Sequence, residues 1–566
     1  MAKGIMYVDD IRVEFDGEPN VLEVCRKAGV EIPNFCFHSD LSVYGACRMC
    51  MFEDENTGKL DAACTTAPRN GLHIRTNTAR LLKYRRMIIE LLLSAHCRDC
   101  TTCEKNRTCR LQEMAVRFGI HHVRFEDTRE HVNMDLSSPA ITVDYNKCIL
   151  CGDCVRVCHE MQGVNNLHFA GRGPNLHIAT TDNKPLSETH CVSCGQCSAV
   201  CTTGAITVKN EIGLAWKALH DPKMRVIAQI APAVRVAIGE AYGLPAGENV
   251  LDKLVTGLKI MGVDEVYDTI FGADLTVREE SAEFLRRLET GENLPLMTSC
   301  CPAWVKYVEN ERPEFLKNLS TARSPMQMFA SVLKENYRKK DAEDGRTTYH
   351  IAIMPCTAKK MEARREEFRD ENGVPYVDLV LTTQEVIQMM KESGVRFQQL
   401  EKESPDMPYG MGSGAAEIFG TSGGVAEAVI RCCTSDKSKN ALRTIEHSGL
   451  RGTDPIRFAE VPINGRTVRI GIVHGLASAG KLLDQIQSGE VQLDLVEVMS
   501  CRTGCVGGAG QPYGLMNKKL QRAQGLYEID RSAMFKRSER NPVINSMYAD
   551  GLGDRAHELL HVEYKD

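Results

Sequence analysis

The sequence predicts a multidomain protein of mixed α/β and α+β class, in which three small cysteine-bearing domains precede one large α/β domain. The chain has 566 residues, too many for one ordinary hydrophobic core, so several domains of about 100–200 residues are expected. Four groups of cysteines lie in the first 201 residues, whereas β-branched apolar runs alternate with helical stretches from about residue 215 onward. We therefore predict domains at residues 1–80, 81–140, 141–212 and 213–566.

The composition excludes two classes of partner. The formal net charge is only -6 and no block is rich in lysine or arginine, so a nucleic acid is not expected as a partner. The amino terminus carries no basic region with a long apolar run, and the apolar stretch at residues 87–93 is too short to cross a bilayer. We expect a cytoplasmic protein without membrane contact, whose 24 cysteines serve metal ligation or redox chemistry rather than disulfides.

The first domain combines short β-like runs at residues 5–8 and 11–15 with four cysteines in a loop of small and polar residues. These cysteines are separated by gaps of ten, two and thirteen residues, namely Cys36, Cys47, Cys50 and Cys64. Their spacing resembles that of plant-type [2Fe-2S] ferredoxins, although the first gap is longer than usual. The resemblance implies a β-grasp domain with one [2Fe-2S] cluster, and a zinc site is the alternative.

The second domain opens with a helical apolar stretch, which includes Leu81 and Leu91, and continues into a histidine–cysteine motif. The motif is His96-x3-Cys100-x2-Cys103-x5-Cys109. This spacing resembles the histidine-ligated [4Fe-4S] domain shared by [FeFe]-hydrogenases and the large iron–sulfur subunit of respiratory complex I. A neutral imidazole is a sound iron ligand, which favours His96. Cys97 in place of His96 remains an alternative fourth ligand.

The third domain contains a four-cysteine run that occurs twice. The runs are Cys148-x2-Cys151-x2-Cys154-x3-Cys158 and Cys191-x2-Cys194-x2-Cys197-x3-Cys201. They resemble bacterial two-cluster ferredoxins, in which the fourth cysteine of each run binds the other cluster. The resemblance implies one [4Fe-4S] cluster on Cys148, Cys151, Cys154 and Cys201, and a second on Cys158, Cys191, Cys194 and Cys197. A zinc ribbon, the alternative, lacks this repeat.

In the large domain, predicted strands end in unusual loops. Apolar runs at residues 226–230, 349–354, 468–473 and 493–498 read as strands, and the loops lie at 231–233, 298–304, 355–360 and 499–512. Ligand sites gather at strand ends in open α/β sheets. The loops offer Cys301, Cys356, Cys501 and Cys505, which suffice for one further [4Fe-4S] cluster and leave Cys300 over.

These loops match the three signature motifs of [FeFe]-hydrogenases, and the resemblance covers essentially the whole chain. It implies reversible conversion of two protons and two electrons into H2 at an H-cluster. By resemblance, Cys301, Cys356, Cys501 and Cys505 hold the cubane of this cluster, and Cys505 bridges to a diiron unit with carbon monoxide, cyanide and azadithiolate ligands. The residues expected to enclose the diiron unit are Ala231, Pro232, Met354, Lys359, Phe419 and Met499. The Lys359 ammonium would donate a charge-assisted hydrogen bond to a cyanide.

A proton path is also implied. Cys300 matches the shuttle thiol of the family, and a thiol with a reference pKa near 8.5 exchanges protons close to neutral pH. Glu280 and Glu283 lie three residues apart in a helical segment, which places both carboxyls on one face. With Ser320 they match a relay from Cys300 through Glu280 and Ser320 to Glu283. A solvated helix face is the alternative for this pair.

The expected inventory is an H-cluster, three further [4Fe-4S] clusters and one [2Fe-2S] cluster. No flavin or nicotinamide fingerprint stands out, so electrons are expected to pass to another protein. That partner is either ferredoxin or an NAD(P)H-oxidising flavoprotein with small iron–sulfur subunits, in a complex that could be electron-bifurcating. Diiron maturation proteins are further partners that the resemblance implies.

Two other functional classes compete with a hydrogenase. A noncatalytic iron–sulfur scaffold or a hydrogen sensor shares the fold, but scaffolds lose the shuttle cysteine and the diiron pocket. A respiratory iron–sulfur subunit explains only about the first 210 residues. We interpret Cys25, Cys432 and Cys433 as buried small side chains and the glycines at positions 410, 412 and 414 as turn residues.

Overall fold

The computed structural model describes residues 3–127, 129 and 131–564. Their contacts divide the chain into two compact units. The first unit takes residues up to 160 together with 165–189 and 197–207, and the second takes 161–164, 190–196 and 208 onward. Among the described residues, no helix combines the length and the apolar composition that a membrane span requires.

The first unit begins with a five-stranded mixed sheet. Its strands are β1 (Lys3–Val8), β2 (Ile11–Asp16), β3 (Met51–Asp54), β4 (Leu60–Ala62) and β5 (His73–Arg75). They are ordered β2-β1-β5-β3-β4, with β1 antiparallel to β2 and parallel to β5. Helix α1 (Val21–Lys27) shares the core of the sheet, and Asn20 caps it by accepting from the Glu23 N–H. This is the β-grasp arrangement that the sequence predicted.

Short elements make up the rest of this part of the chain. They are α2 (Ala79–Ser94), α3 (Arg110–Arg117), β6 (Ile141–Val143), α4 (Asp153–Arg156), β7 (Leu167–Ala170), β8 (His177–Thr180), α5 (Gln196–Val200) and β9 (Ile206–Val208). Strands β6 and β9 pair, as do β7 and β8. The buried Arg85 of α2 donates to the carbonyls of Met49, Thr76 and Met51 at 3.2, 2.6 and 2.6 Å, which ties α2 to the first sheet.

Two four-stranded sheets form the frame of the second unit. The strands are β10 (Met224–Ile230), β11 (Glu265–Asp268), β12 (Leu296–Met297), β13 (Thr347–Met354), β14 (Leu379–Thr382), β15 (Ile456–Ile463), β16 (Arg466–His474) and β17 (Leu495–Met499). One sheet is all parallel in the order β11-β10-β13-β14, and the other has the order β12-β17-β16-β15 with β15 antiparallel to β16. The strands that the apolar runs predicted are all present.

Helices connect and cover these sheets. They are α6 (Ile212–Leu219), α7 (Pro232–Arg235), α8 (Leu251–Ile260), α9 (Ile270–Thr290), α10 (Pro302–Glu311), α11 (Pro325–Asp344), α12 (Ala358–Glu362), α13 (Thr383–Glu392), α14 (Gly414–Glu417), α15 (Gly424–Cys433), α16 (Lys439–Glu446), α17 (Leu476–Gln487), α18 (Met516–Ser532), α19 (Pro542–Met547) and α20 (Gly553–Leu560). Helix α9 packs against α11 and α15, so it is buried along most of its length. The parallel strands direct the loops after β10, β13 and β17 into the interior of this unit.

Candidate active site

The second unit contains a cavity on which many of the residues singled out in the sequence converge. Its walls come from the ends of several strands and from α7, α10 and α12. The walls include six thiols, which belong to Cys194, Cys300, Cys301, Cys356, Cys501 and Cys505. They also include every side chain that the sequence assigned to a diiron pocket, namely Ala231, Pro232, Met354, Lys359, Phe419 and Met499.

Local backbone structure explains how the thiols reach one cavity. Cys356 follows β13 after one proline, and Cys501 follows β17 after one serine. Cys301 stands at the amino end of α10. Cys505 follows Gly504, whose φ of +91° favours glycine, and a Cβ there would lie 2.6 Å from the Ser422 nitrogen. Only glycine therefore allows this loop to bring Cys505 to the cavity wall.

The donor set fits an iron–sulfur cluster. Burial, together with the nearby Cys301, raises the pKa of Cys356 to about 11, and burial raises the pKa of Cys301 and of Cys501 above the usual range. Buried thiolates without a cation are unfavourable, whereas iron supplies the opposing charge and prefers soft thiolate ligands. The four thiols of Cys301, Cys356, Cys501 and Cys505 are therefore suited to a buried cubane.

Gln196 is a neighbour of these thiols that the sequence analysis did not single out. Its Nε2 donates to the Cys501 sulfur at 3.2 Å and to the Gly507 carbonyl at 3.2 Å. Hydrogen bonds to a ligating sulfur tune the potential of an iron–sulfur cluster. The residue lies between Cys194 and Cys197, and nothing in its type or spacing signals this contact.

Lys359 is buried at the cavity wall with one carboxylate partner. Its Nζ lies 2.7 Å from Glu362 Oε2 and 3.2 Å from the Cys300 carbonyl oxygen. Burial opposes the charge of this ammonium, but the Glu362 carboxylate outweighs it and raises the pKa of Lys359 above its usual range. A charged donor is thus held where an anionic ligand would lie. Glu362 lies three residues after Lys359 on α12. This helical spacing is the one signal in the sequence that points to the ion pair.

The four members of the predicted proton relay lie close together. Glu280 and Glu283 are both buried on α9, which excludes the solvated helix face. The Ser320 hydroxyl donates to Glu283 Oε2 at 3.1 Å. Burial, assisted by the charge of Glu283, raises the pKa of Glu280 to about 8, so this carboxyl exchanges protons near neutrality. Burial and then the charge of Glu280 raise the pKa of the Cys300 thiol.

In the first unit, the four cysteines of the first domain form two hydrogen-bonded pairs, Cys36 with Cys47 and Cys50 with Cys64. Backbone N–H groups also point at their sulfurs. The Cys47 N–H donates to Cys36 Sγ at 3.3 Å, and the Phe35 N–H donates to Cys47 Sγ at 3.4 Å. Such donors stabilise thiolates, so the loop fits a [2Fe-2S] cluster.

The geometry around His96 favours the imidazole over Cys97 as a ligand. His96, Cys100 and Cys109 line one cavity, whereas neither Cys97 nor the predicted ligand Cys103 lines it within the part of the chain that the structure describes. Burial lowers the pKa of His96 to about 4, which keeps the ring neutral, and its Nδ1 is buried with no hydrogen-bond partner among the described residues. Cys97 instead donates to Asp99 Oδ2 at 3.0 Å.

A second cavity in the first unit is lined by one of the two predicted ferredoxin ligand sets, in which three cysteines of the first run join the fourth cysteine of the second run. The cysteines on its wall are Cys148, Cys151, Cys154 and Cys201. The other set, Cys158, Cys191, Cys194 and Cys197, is divided between the two units, and this assignment stays a prediction.

Comparisons with known proteins match most of the chain to iron–sulfur families. The description "Iron only hydrogenase large subunit, C-terminal domain" matches residues 224–509, and "Iron hydrogenase small subunit" matches 516–566. Before these, "2Fe-2S iron-sulfur cluster binding domain" matches 5–79. "NADH-ubiquinone oxidoreductase-G iron-sulfur binding region" matches 85–124, and "NADH-quinone oxidoreductase subunit 3, ferredoxin-like domain" matches 138–207.

Individual relatives are similar over nearly their whole length. The NADP-reducing hydrogenase subunit HndD of Solidesulfovibrio fructosivorans is 38% identical over 562 residues, 96% of each chain. Iron hydrogenase 1 of Clostridium pasteurianum is 33% identical over 574 residues, 99% of each chain. A solved structure of a variant of [FeFe]-hydrogenase HydA1 from Chlamydomonas reinhardtii gives a TM-score of 0.55 at 34% identity, covering 63% of this chain and 99% of that chain.

Proposed function

This chain belongs to the [FeFe]-hydrogenase family, whose enzymes convert hydrogen at an H-cluster, and from that premise we propose how its residues divide the work. The conversion is reversible, with electrons passing through the accessory iron–sulfur clusters to a partner protein. The observation that carries this proposal is the convergence of six thiols and one charged lysine on a single cavity.

Four thiols would hold the cubane and its link to the diiron unit. Cys301, Cys356 and Cys501 would hold the cubane alone, and Cys505 would hold it and also attach the diiron unit. When bound, the diiron unit supplies an open iron position and an amine at which hydrogen is split or formed. Lys359 anchors an anionic ligand of this unit, because its ammonium is kept charged by Glu362.

The remaining lining residues exclude water, and the relay moves protons. Met354, Met499 and Phe419 are buried apolar side chains on the cavity wall, so the site is dry and its hydrogen bonds are strong. Cys300 passes a proton to Glu280, and the proton continues through the Ser320 hydroxyl to Glu283. The hydrogen bond between Ser320 and Glu283 supports this order.

We infer that the electron partner is an NAD(P)-linked flavoprotein with small iron–sulfur subunits. The relative HndD is by its name a subunit of an NADP-reducing hydrogenase, and it aligns over 96% of this chain. Ferredoxin is the second candidate, in an electron-bifurcating complex or alone. The domain boundaries at residues 1–80, 81–140, 141–212 and 213–566 belong to the same proposal, and the four matched iron–sulfur and catalytic ranges support them.

Infrared spectroscopy and a hydrogen assay test the proposed function together. Protein produced with diiron maturation machinery and purified without oxygen is expected to show carbonyl and cyanide bands and to evolve hydrogen from reduced methyl viologen. Bands without evolution would favour a sensor, and the absence of bands would favour a scaffold. Either of these two results contradicts the proposal.

The ligand assignment in the second domain predicts different outcomes for two adjacent residues. His96→Ala is expected to remove one [4Fe-4S] signal from the electron paramagnetic resonance spectrum of the reduced protein, because a buried neutral imidazole is lost from the ligand set. Cys97→Ala is the matched control and should keep the full spectrum and iron content. Loss of the cluster in Cys97→Ala with retention in His96→Ala would reverse the assignment.

A further inference from the structure

The proposed relay ends inside the protein, which leaves its exchange with solvent unexplained. The side chains of Glu283 and Arg287 are only 3% and 5% exposed, and they pair at 2.6 Å. An arginine does not release its proton at physiological pH, so Arg287 cannot carry protons onward. Some other group must connect the Glu283 carboxylate to water.

A row of hydrogen bonds leads away from Glu283 toward the carboxy-terminal segment. The Thr321 hydroxyl donates to Glu283 Oε2 at 3.1 Å, and the same hydroxyl oxygen lies 2.8 Å from His561 Nδ1. His561 Nε2 lies 3.0 Å from Glu279 Oε2. The side chains of His561 and Glu279 are 15% and 14% exposed, so this row reaches the protein surface.

The hydrogen bonds indicate which protons the ring carries. A threonine hydroxyl has one hydrogen, and Thr321 gives it to Glu283, so its oxygen must accept from an Nδ1–H of His561. Nε2 faces a carboxylate and is therefore also a donor. Burial opposes ionisation of Glu279, but hydrogen bonds from His561 and Tyr548 outweigh it and lower the pKa of this carboxyl. The arrangement thus suits a ring that donates from both nitrogens.

From this geometry we propose that His561 is the residue through which the relay exchanges protons with solvent, an inference that rests on the proposed function. During hydrogen evolution, the Nδ1–H proton of the imidazolium moves to the Thr321 oxygen while the Thr321 hydroxyl proton moves to Glu283. The neutral imidazole, which keeps its Nε2 proton, then regains one proton from solvent at Nδ1. One proton enters and one is delivered, and hydrogen uptake runs the same steps in reverse.

Backbone contacts hold the ring in this position. The Val562 N–H donates to the Thr321 carbonyl at 2.8 Å, and the Arg323 N–H donates to the Leu560 carbonyl at 2.8 Å. The Arg323 Nε also donates to the His561 carbonyl at 2.8 Å. The segment after α20 is therefore fastened antiparallel to the chain that follows Ser320, and the position of the imidazole does not depend on its side chain alone.

Other charged and titratable groups surround this row. They are Arg278, Tyr548, Arg287, Arg323, His557 and Glu558. Among the described residues, only Thr321 and Glu279 form hydrogen bonds with the His561 ring. The proton path therefore has one branch toward Glu283 and one toward Glu279.

Two substitutions of His561 in the holoenzyme test the proposal. His561→Gln retains hydrogen-bonding atoms but does not exchange a proton, and His561→Ala opens space for a small base. Both are expected to lower hydrogen evolution about a hundredfold or more, the scale of a lost proton-transfer group, while the carbonyl and cyanide bands stay at full intensity. Added imidazole should restore much of the activity of His561→Ala and leave His561→Gln unchanged.

His557→Ala is the matched control. This exposed histidine stacks on the His561 ring with centroids 5.8 Å apart, and its variant should retain normal turnover. Normal turnover in both His561 variants would overturn the proposal, as would a loss that imidazole does not relieve. Nuclear magnetic resonance of histidine-labelled protein gives a readout independent of turnover, and a His561 ring without a hydrogen bond between Nδ1 and Thr321 would also contradict it. If the unmodified protein shows no infrared bands or no evolution, the proposed function fails instead.

Discussion

Cys505→Ala is expected to abolish the carbonyl and cyanide infrared bands and, with them, all hydrogen evolution. Cys505 is the one protein thiolate that we assign to the bridge between the cubane and the diiron unit. It lies on the wall of the catalytic cavity, and burial raises the pKa of its thiol, so alanine removes a ligand that no solvent molecule replaces easily. The measurement is infrared spectroscopy after identical maturation and anaerobic purification.

Cys432→Ala provides the control for this experiment. Cys432, which we predicted to be buried, is half-buried on α15 of the same unit. Among the described residues it does not line the catalytic cavity, so its variant should keep both the bands and the activity. Bands at full intensity in Cys505→Ala would show that the diiron unit is held by other contacts, and the bridging assignment would then be wrong.

Cys300→Ser is expected to keep the infrared bands and to lose most turnover, by about a hundredfold or more, which is typical for removal of a proton-transfer group. The serine hydroxyl is a far weaker acid than the thiol, so the first step from the cavity toward Glu280 is interrupted. The side chain is otherwise similar in shape, and Lys359 bonds to the backbone carbonyl of this residue rather than to its sulfur. Cluster assembly should therefore be unaffected.

Glu280→Gln extends the test to the next member of the relay. Its amide cannot accept and release a proton as the buried carboxyl with a pKa of about 8 does, so the same combination of intact bands and slow turnover is expected. Near-normal hydrogen evolution in Cys300→Ser would remove the thiol from the path, and an intact Glu280→Gln enzyme would remove the carboxyl.

Much of the fold was predictable, and the proposed ligand set rests on the same signal, because metal ligation leaves short-range spacing in the sequence. Each four-cysteine run and the loops after β13 and β17 carry their own signature. The apolar runs for β10 and β16 likewise predicted strands because both faces of these strands are buried. The fold class is confirmed for these reasons.

Contacts between distant residues were not predictable. His561 lies 240 positions from Thr321, and Gln196 lies 305 positions from Cys501. Neither residue has a spacing or a periodicity that marks its partner, so only the folded chain reveals the contact. The choice between His96 and Cys97 was open for a related reason, since spacing allows both and only the folded chain shows that His96 lines a cavity.

The four strand-end loops around the catalytic cavity also determine when it can form. Cys301 and Cys356 are synthesised before Cys501 and Cys505, because the last two follow β17, the last strand of the second unit among the described residues. A nascent chain that has reached only β16 therefore carries two of the four thiols, and the contacts that complete the cavity have large sequence separation, which makes them slow to form. Loading of the H-cluster would consequently require that both sheets of the second unit have been completed.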